Sequence, residues 1–373
     1  MKIVYLLICS VTILSCHYKG VNNSDLALDT LKNNYATGFR IIDNKDSKTI
    51  EVFNPWQNAK GVVIKYNLSK GTVSKTADNT IHVPVKRVVC MSTTHIAFID
   101  ALHELPTIKG ISGGKLISNN TINEMISKNE ITDVGYEQSL NYEILIGLHP
   151  DVIFVYGVGS DVSGYINKLK ELNIKVVLVG EYLEANPLAK AEWIKFFAEF
   201  FLKRELASAV FDTISNDYEK LKQTVKAIKY RPTVMMGLPW NGTWYISGGK
   251  SFAATLISDA SGEYIWKDID SHESLPIDLE TVFQKSMNAD IWLNPGAVLS
   301  KKDIQVVDER LVNVKPFIQN RIFNNNARLT PLGGNDYWES GTVNPHLILK
   351  DLIAILHPEV FPNYKMKYYQ TIK

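Results

Sequence analysis

Three short, unbroken apolar runs restrict this chain to few architectures. Val88-Val89-Cys90-Met91, Val152-Ile153-Phe154-Val155-Tyr156 and Val176-Val177-Leu178-Val179 are strand-length and apolar on both faces. Thr107 to Ile111 is also strand-like. Between the runs, Ile96 to Leu102, Glu143 to Leu148 and Ile166 to Leu172 carry helical spacing. Strands buried on both faces and alternating with amphipathic helices require a parallel sheet covered by helices on each side.

The pattern occurs twice. Residues 188–229 contain no Gly or Pro, and apolar positions recur at helical spacing through Trp193, Phe196, Phe200, Phe211, Ile214 and Tyr218. This stretch reads as helical and ends in one long helix stopped at Arg231-Pro232. A second series follows: Val234-Met235-Met236, Trp244-Tyr245-Ile246, Ile291-Trp292-Leu293, Ile322-Phe323 and a last helix from Leu347 to Leu356. The expected fold is α/β, with two Rossmann-like lobes joined by a long rigid helix. The lobes are placed at 87–187 and 231–362, with the linking helices at 188–230. Residues 36–86 hold short alternating runs divided by Asp43-Asn44 and Asn54-Pro55, and read as a small β extension.

The amino terminus sets an address. Lys2 precedes the apolar runs Ile3–Ile8 and Val11–Leu14, and Ser15-Cys16 closes them. This is the organisation of a secretory signal, too short to span a bilayer. A cysteine at the junction resembles the bacterial lipoprotein signal, in which that cysteine is acylated. Residues 1–16 are therefore read as signal, Cys16 as the lipid anchor on the periplasmic side of a membrane, and the polar, Asn-rich residues 17–35 as a tether. Cys9 falls in the signal and Cys16 takes lipid, so Cys90 alone is left and the mature chain forms no internal disulfide. Cys90 lies in an apolar run and reads as core. The formal net charge is +1, which gives no reason to expect nucleic acid as a partner.

Several segments together resemble the class III substrate-binding proteins of ABC importers for ferric siderophores, vitamin B12 and haem. Arg87-Val88-Val89 resembles the family's opening strand. Asn141-Tyr142-Glu143-Ile144-Leu145-Ile146-Gly147-Leu148-His149-Pro150-Asp151-Val152-Ile153 resembles its Asn-Leu-Glu-x-Ile-x-x-Leu-x-Pro-Asp-Val-Ile segment. Leu169 to Val176 resembles Leu-x-x-x-Gly-Ile-x-Val, with Asn173 in the Gly position. Asp336-Tyr337-Trp338-Glu339 resembles an aromatic segment ahead of the last helix. The likeness spans roughly residues 87–358 and leaves the β extension outside the usual pattern.

The resemblance implies a monomeric carrier, not an enzyme. It has no cofactor of its own, binds a ferric siderophore or cobalamin in the cleft between its lobes, and hands it to an ABC permease dimer with its ATPase. It also implies that Glu143 and Glu280, one on each lobe, dock onto the permease. Tyr136, Tyr156, Trp240, Trp244, Tyr337 and Trp338 fall where the family lines its cleft, and flat aromatic faces suit a large rigid chelate. Trp193, Trp266 and Trp292 read as core. His95, in the loop expected after the first strand, is a further candidate ligand contact. Three histidines do not converge, which disfavours a zinc or manganese carrier. Of 40 basic residues seven are Arg, and Arg310, Arg321 and Arg328 are dispersed. Polyanionic chelates favour arginine clusters, so cobalamin or a neutral hydroxamate fits better. Lys115 and Lys250 remain available for a carboxylate or phosphate. A lipoprotein that captures a chelate or haem at the cell surface is the alternative. Neither a Walker phosphate loop nor a His-Glu-x-x-His pair occurs.

Overall fold

The computed structural model describes residues 29–44, 47–71, 80–157 and 162–373. The acylation candidate Cys16 and the signal lie outside these residues. No helix among the described residues is long and apolar enough to cross a membrane.

The chain begins with a five-stranded sheet of β1 (Asp29–Leu31), β2 (Phe39–Asp43), β3 (Ser47–Phe53), β4 (Val63–Lys70) and β5 (Thr80–Val83), in that spatial order. The first four pair antiparallel and β5 joins β4 in parallel. Its inner face buries Phe39, Ile41, Ile50, Val52 and Leu68. The tether expected over 17–35 is therefore too long. Asp29–Leu31 is a strand, and residues 34–36 are held by Glu192.

The apolar runs form the N-terminal lobe as expected. β6 (Val88–Cys90), β7 (Ile108–Ile111), β8 (Thr132–Asp133), β9 (Val152–Val155) and β10 (Val176–Leu178) make a sheet in the order β10-β9-β6-β7-β8, parallel throughout. Helices α1 (Thr93–Ala101), α2 (Asn120–Ser127), α3 (Tyr142–Leu148) and α4 (Val162–Glu171) connect its strands. The Pro-Asp pair ahead of β9 has a structural role. The Asp151 carboxylate accepts the backbone N–H groups of Lys86 and Arg87 at 2.7 and 2.9 Å, and so holds the start of β6. Cys90 is buried, and burial pushes its thiol pKa up.

The linking segment is three helices, α5 (Pro187–Glu192), α6 (Ile194–Phe201) and the 22-residue α7 (Arg204–Val225). Every residue of α6 is buried, in an aromatic cluster where Phe98 stacks on Phe197 at 4.9 Å. Trp193 between α5 and α6 is also fully buried, as are Trp266 and Trp292 in the second lobe to within a few percent.

The second lobe runs through β11 (Thr233–Met236), β12 (Pro239–Trp240), β13 (Thr243–Ser247), α8 (Phe252–Asp259), β14 (Glu263–Tyr264), β15 (Ser274–Ile277), α9 (Leu279–Ser286), β16 (Ile291–Leu293), α10 (Lys301–Val307), α11 (Lys315–Ile318), β17 (Ile322–Asn324), α12 (Ser340–Val343), α13 (Pro345–Leu356) and β18 (Gln370–Thr371). Its main sheet has the order β14-β11-β16-β17-β18, with β18 alone antiparallel, and β12-β13-β15 form a small antiparallel sheet. The lobe does not stop at 362. Asp351, buried on α13, accepts the backbone N–H groups of Lys367, Tyr368 and Tyr369 and so feeds the chain into β18.

Candidate ligand-binding cleft

Ligands of open parallel sheets bind beyond the carboxyl ends of the strands, where backbone groups run out of ladder partners. Here the two sets of strand ends are brought together. The loop after β7 meets the segment after β17, where a Cβ on Gly334 would lie 2.7 Å from the Leu116 carbonyl and 2.9 Å from that of Ile117. The Ser118 N–H donates to Glu339 at 2.8 Å.

Four of the expected aromatics keep accessible surface. Tyr136 follows β8 and is 49% exposed. Its ring lies against Gly113, where a Cβ would come within 2.9 Å of it and φ is +67°, so glycine is required there. Tyr156 directly follows β9 and is half-buried, and burial followed by the charge of Glu137 raises its hydroxyl pKa. Trp240 is 68% exposed on β12, and Trp338 is 57% exposed with its ring edge-on to Tyr337 at 4.7 Å.

Three expected contacts are not available to a ligand. Trp244 is 1% exposed, donates from Nε1 to the Met236 carbonyl at 3.1 Å and packs near Trp292. The reason is local. Asn241 and Gly242 both have positive φ, giving a two-residue hairpin in which Trp240 pairs with Thr243 and Trp244 with Pro239. Adjacent pairs face opposite sides of a strand ribbon, so one tryptophan goes out and the other in. Tyr337 is 4% exposed and packed on Tyr368 and Tyr369, with its hydroxyl pushed up to about 12 by burial. His95 is fully buried, because Ser92 caps α1 through the Thr94 N–H and the helix starts two residues before it. Its ring lies 5.8 Å from Phe197 and 6.2 Å from Phe154, and burial holds its pKa down to about 3. A neutral core histidine is not a ligand contact.

Both glutamates read as docking residues are exposed in first helical turns. Asn141 caps α3 by accepting the Ile144 N–H at 3.0 Å, and Asp278 caps α9 by accepting that of Thr281 at 2.8 Å. Glu143 stands free of a side-chain ion pair among the described residues, whereas Glu280 pairs with Arg310 at 2.6 Å. Exposed pairs of this kind are weak and exchange readily. Lys115 is exposed. Lys250 is tied to Asp270 at 2.6 Å.

Sequence reasoning passed over two residues whose surroundings shift their ionisation. Tyr182 lies four residues beyond β10, and its hydroxyl donates to the Gly157 carbonyl while burial pushes its pKa up to about 12. Glu339 lies in a polar recess between the lobes with Asp100, Asn119, Arg328 and Asp336. Burial, opposed by the Ser118 N–H and aided by Asp336, pushes its carboxyl up to about 7. The folded state therefore holds a proton that the unfolded chain releases near 4.5, and stability falls as pH rises between those values. Glu339→Gln should gain stability over the native protein at pH 8 and little at pH 5. Thermal melts of both at the two pH values check this, and an equal difference at each contradicts it.

A Gly-x-Ser-x-Gly string, Gly110-Ile111-Ser112-Gly113-Gly114, lies at the end of β7. In a nucleophile elbow the serine carries the strained turn. Here the positive φ falls on Gly113, which serves the Tyr136 ring, and Ser112 donates its N–H to the Cys90 carbonyl like an ordinary strand-end residue. Among the described residues no group of three His, Cys, Asp or Glu is placed to hold a metal ion.

Comparison with known proteins bears on the fold. A family model described as "Periplasmic binding protein" matches residues 88–323. An uncharacterized lipoprotein of Methanocaldococcus jannaschii is 31% identical over 306 residues, covering 79% of this chain and 71% of its own. A periplasmic haem-binding protein from Pseudomonas aeruginosa superposes with a TM-score of 0.58 at 14% identity, covering 78% of this chain and 98% of its own. A protein of an ABC-type Fe3+-hydroxamate transport system from Saccharomonospora viridis superposes with a TM-score of 0.55 at 16% identity, covering 74% and 94%. The fold is that of two-lobed binding proteins, and the β sheet before residue 88 lies outside the matched family segment.

Proposed function

This chain belongs to the periplasmic binding protein family, and we propose that it is a lipid-anchored carrier that captures a metal chelate outside the cytoplasm and delivers it to an ABC permease. The observation that supports this reading is the set of exposed aromatic faces, Tyr136 in the first lobe and Trp240 and Trp338 in the second. Tyrosine and tryptophan supply large contact area with little side-chain entropy to lose, which suits a bulky, rigid, partly apolar ligand. The cleft-side arginine is Arg328, already committed to Asp336 at 2.5 Å. That composition favours cobalamin or a neutral ferric hydroxamate over a polyanionic chelate. Anchoring at Cys16 is supported by the Ser15-Cys16 junction and by the lipoprotein designation of the Methanocaldococcus relative.

Delivery rests on Glu143 and Glu280, charges held apart on separate lobes to fix orientation on a basic partner. Glu143→Ala with Glu280→Ala should leave ligand affinity unchanged and abolish uptake in cells that hold the cognate permease. Uptake at the native rate by the double variant would contradict permease docking and favour a surface lipoprotein that only captures.

A further inference from the structure

The sheet formed by β1–β5 reaches the cleft through one loop. Asn54–Val62 joins β3 to β4 and is stiffened at its base, where Asn54 donates to the Val62 carbonyl at 2.9 Å, its Oδ1 accepts the Val62 N–H at 3.0 Å, and Ala59 donates to the Trp56 carbonyl at 3.1 Å. The loop is thus a built projection from a packed sheet.

Its tip is seated on the strand ends of the N-terminal lobe. Trp56 forms a parallel β-bridge with Gly157, the second residue beyond β9. Pro55 is buried, and its Cα lies 3.6 Å from where a Cβ on Gly180 would stand, just beyond β10. The Tyr182 hydroxyl, which donates to the Gly157 carbonyl, lies beside the Gln57 backbone. Trp56 and Tyr156 lie half-buried against the same core of this lobe. On its other side the loop touches the second lobe, where the exposed Gln57 side chain donates from Nε2 to Glu273 at 3.3 Å. Glu273 belongs to the segment whose backbone carbonyls receive the N–H groups of Gly248, Gly249 and Lys250 after β13. One nine-residue loop therefore meets both lobes at the side of the cleft away from the Gly334–Leu116 contact.

We propose that this loop is a third wall of the ligand site, with Trp56 and Gln57 as ligand-contacting residues. This rests on the chelate-carrier reading. Trp56, half-buried like Tyr156, adds an aromatic face, and Gln57 adds an uncharged amide able to donate to and accept from the ligand periphery. Both are neutral, so the wall selects for an uncharged, planar or bulky chelate and against polyanions. The Gln57–Glu273 bond also ties the loop to the second lobe, so a large ligand entering here displaces it.

The test is isothermal titration of the full-length lipoprotein in detergent, with Trp56→Ala and Gln57→Ala beside it, against a ferric trihydroxamate, ferric citrate, haemin and cyanocobalamin. Calorimetry is chosen because Trp56→Ala removes a fluorophore. For the chelate that the native protein binds, Trp56→Ala is expected to lose about tenfold in affinity and Gln57→Ala about threefold. Gln57→Ala alters an exposed side chain, so it stays informative if Trp56→Ala fails to fold. Native affinity in both folded variants overturns the third wall and leaves the carrier reading standing. Binding of none of the four probes by the native protein overturns the carrier reading itself, and this inference with it.

Discussion

Replacing Glu192 by alanine should destabilise the protein by about 3–5 kcal/mol and release the amino-terminal sheet from the body. Glu192 is fully buried on α5. Its carboxylate accepts the backbone N–H groups of Asn34, Tyr35 and Ala36 at 2.9, 2.7 and 2.8 Å and pairs with Lys195 at 2.7 Å. Lys195 is 7% exposed and also lies over the Phe211 ring at 4.5 Å. Truncating Glu192 leaves three backbone donors without their acceptor, that of Ala36 buried, and a buried ammonium without its counter-ion, and the second loss is the larger. A neighbouring carboxylate repeats the arrangement, because Glu184 accepts the N–H groups of Thr37 and Gly38 at 2.9 and 2.8 Å and the Trp193 Nε1–H at 3.2 Å. Two glutamates, Glu184 ahead of α5 and Glu192 on it, thus bolt the chain onto the body where it enters β2. Chemical denaturation measures the loss, and limited proteolysis after residue 28 locates it. A variant with native stability and no new cleavage would show that the sheet is held by its apolar face alone.

The two tryptophans of the β12–β13 hairpin should separate cleanly. Trp240→Ala with Trp338→Ala is expected to weaken chelate binding about a hundredfold, at about tenfold per exposed ring, with an unchanged melting temperature. Trp244→Ala removes a ring that is 1% exposed and its hydrogen bond to Met236. It should cost about 3–5 kcal/mol of stability by the cavity it leaves. Calorimetric titration and thermal melting of the three single variants and the double variant decide this. Loss of binding on Trp244→Ala at native stability would reverse the assignment of the two rings.

The lobes were legible because continuous β-branched runs and capped amphipathic helices are local features. Val152 to Val155 and Val176 to Leu178 become strands where the pattern puts them, and Asn141 caps the helix that displays Glu143. The site was less legible because membership of a cleft depends on which way a side chain points. The hairpin is the instructive case. Asn241-Gly242 is the strongest two-residue turn signal, and with strand alternation it separates Trp240 from Trp244 without a structure. Ser92 likewise announces a helix that turns His95 inward. Tyr337 could not be placed in this way. It is buried by Tyr368 and Tyr369, which arrive from a tail that Asp351 holds and that no local pattern marks. The β3–β4 loop touches both lobes only through long-range packing, so the role proposed for it is invisible in Asn54–Val62 alone.

The most direct measurement is calorimetric titration of the native lipoprotein with a ferric trihydroxamate, cyanocobalamin, haemin and ferric citrate in turn. Saturable one-to-one binding of the hydroxamate or cobalamin at micromolar concentration or tighter, with ferric citrate bound weakly or not at all, is the expected result. Binding of none of the four would contradict chelate capture. Preference for ferric citrate would contradict the neutral-ligand selectivity drawn from the exposed aromatic faces.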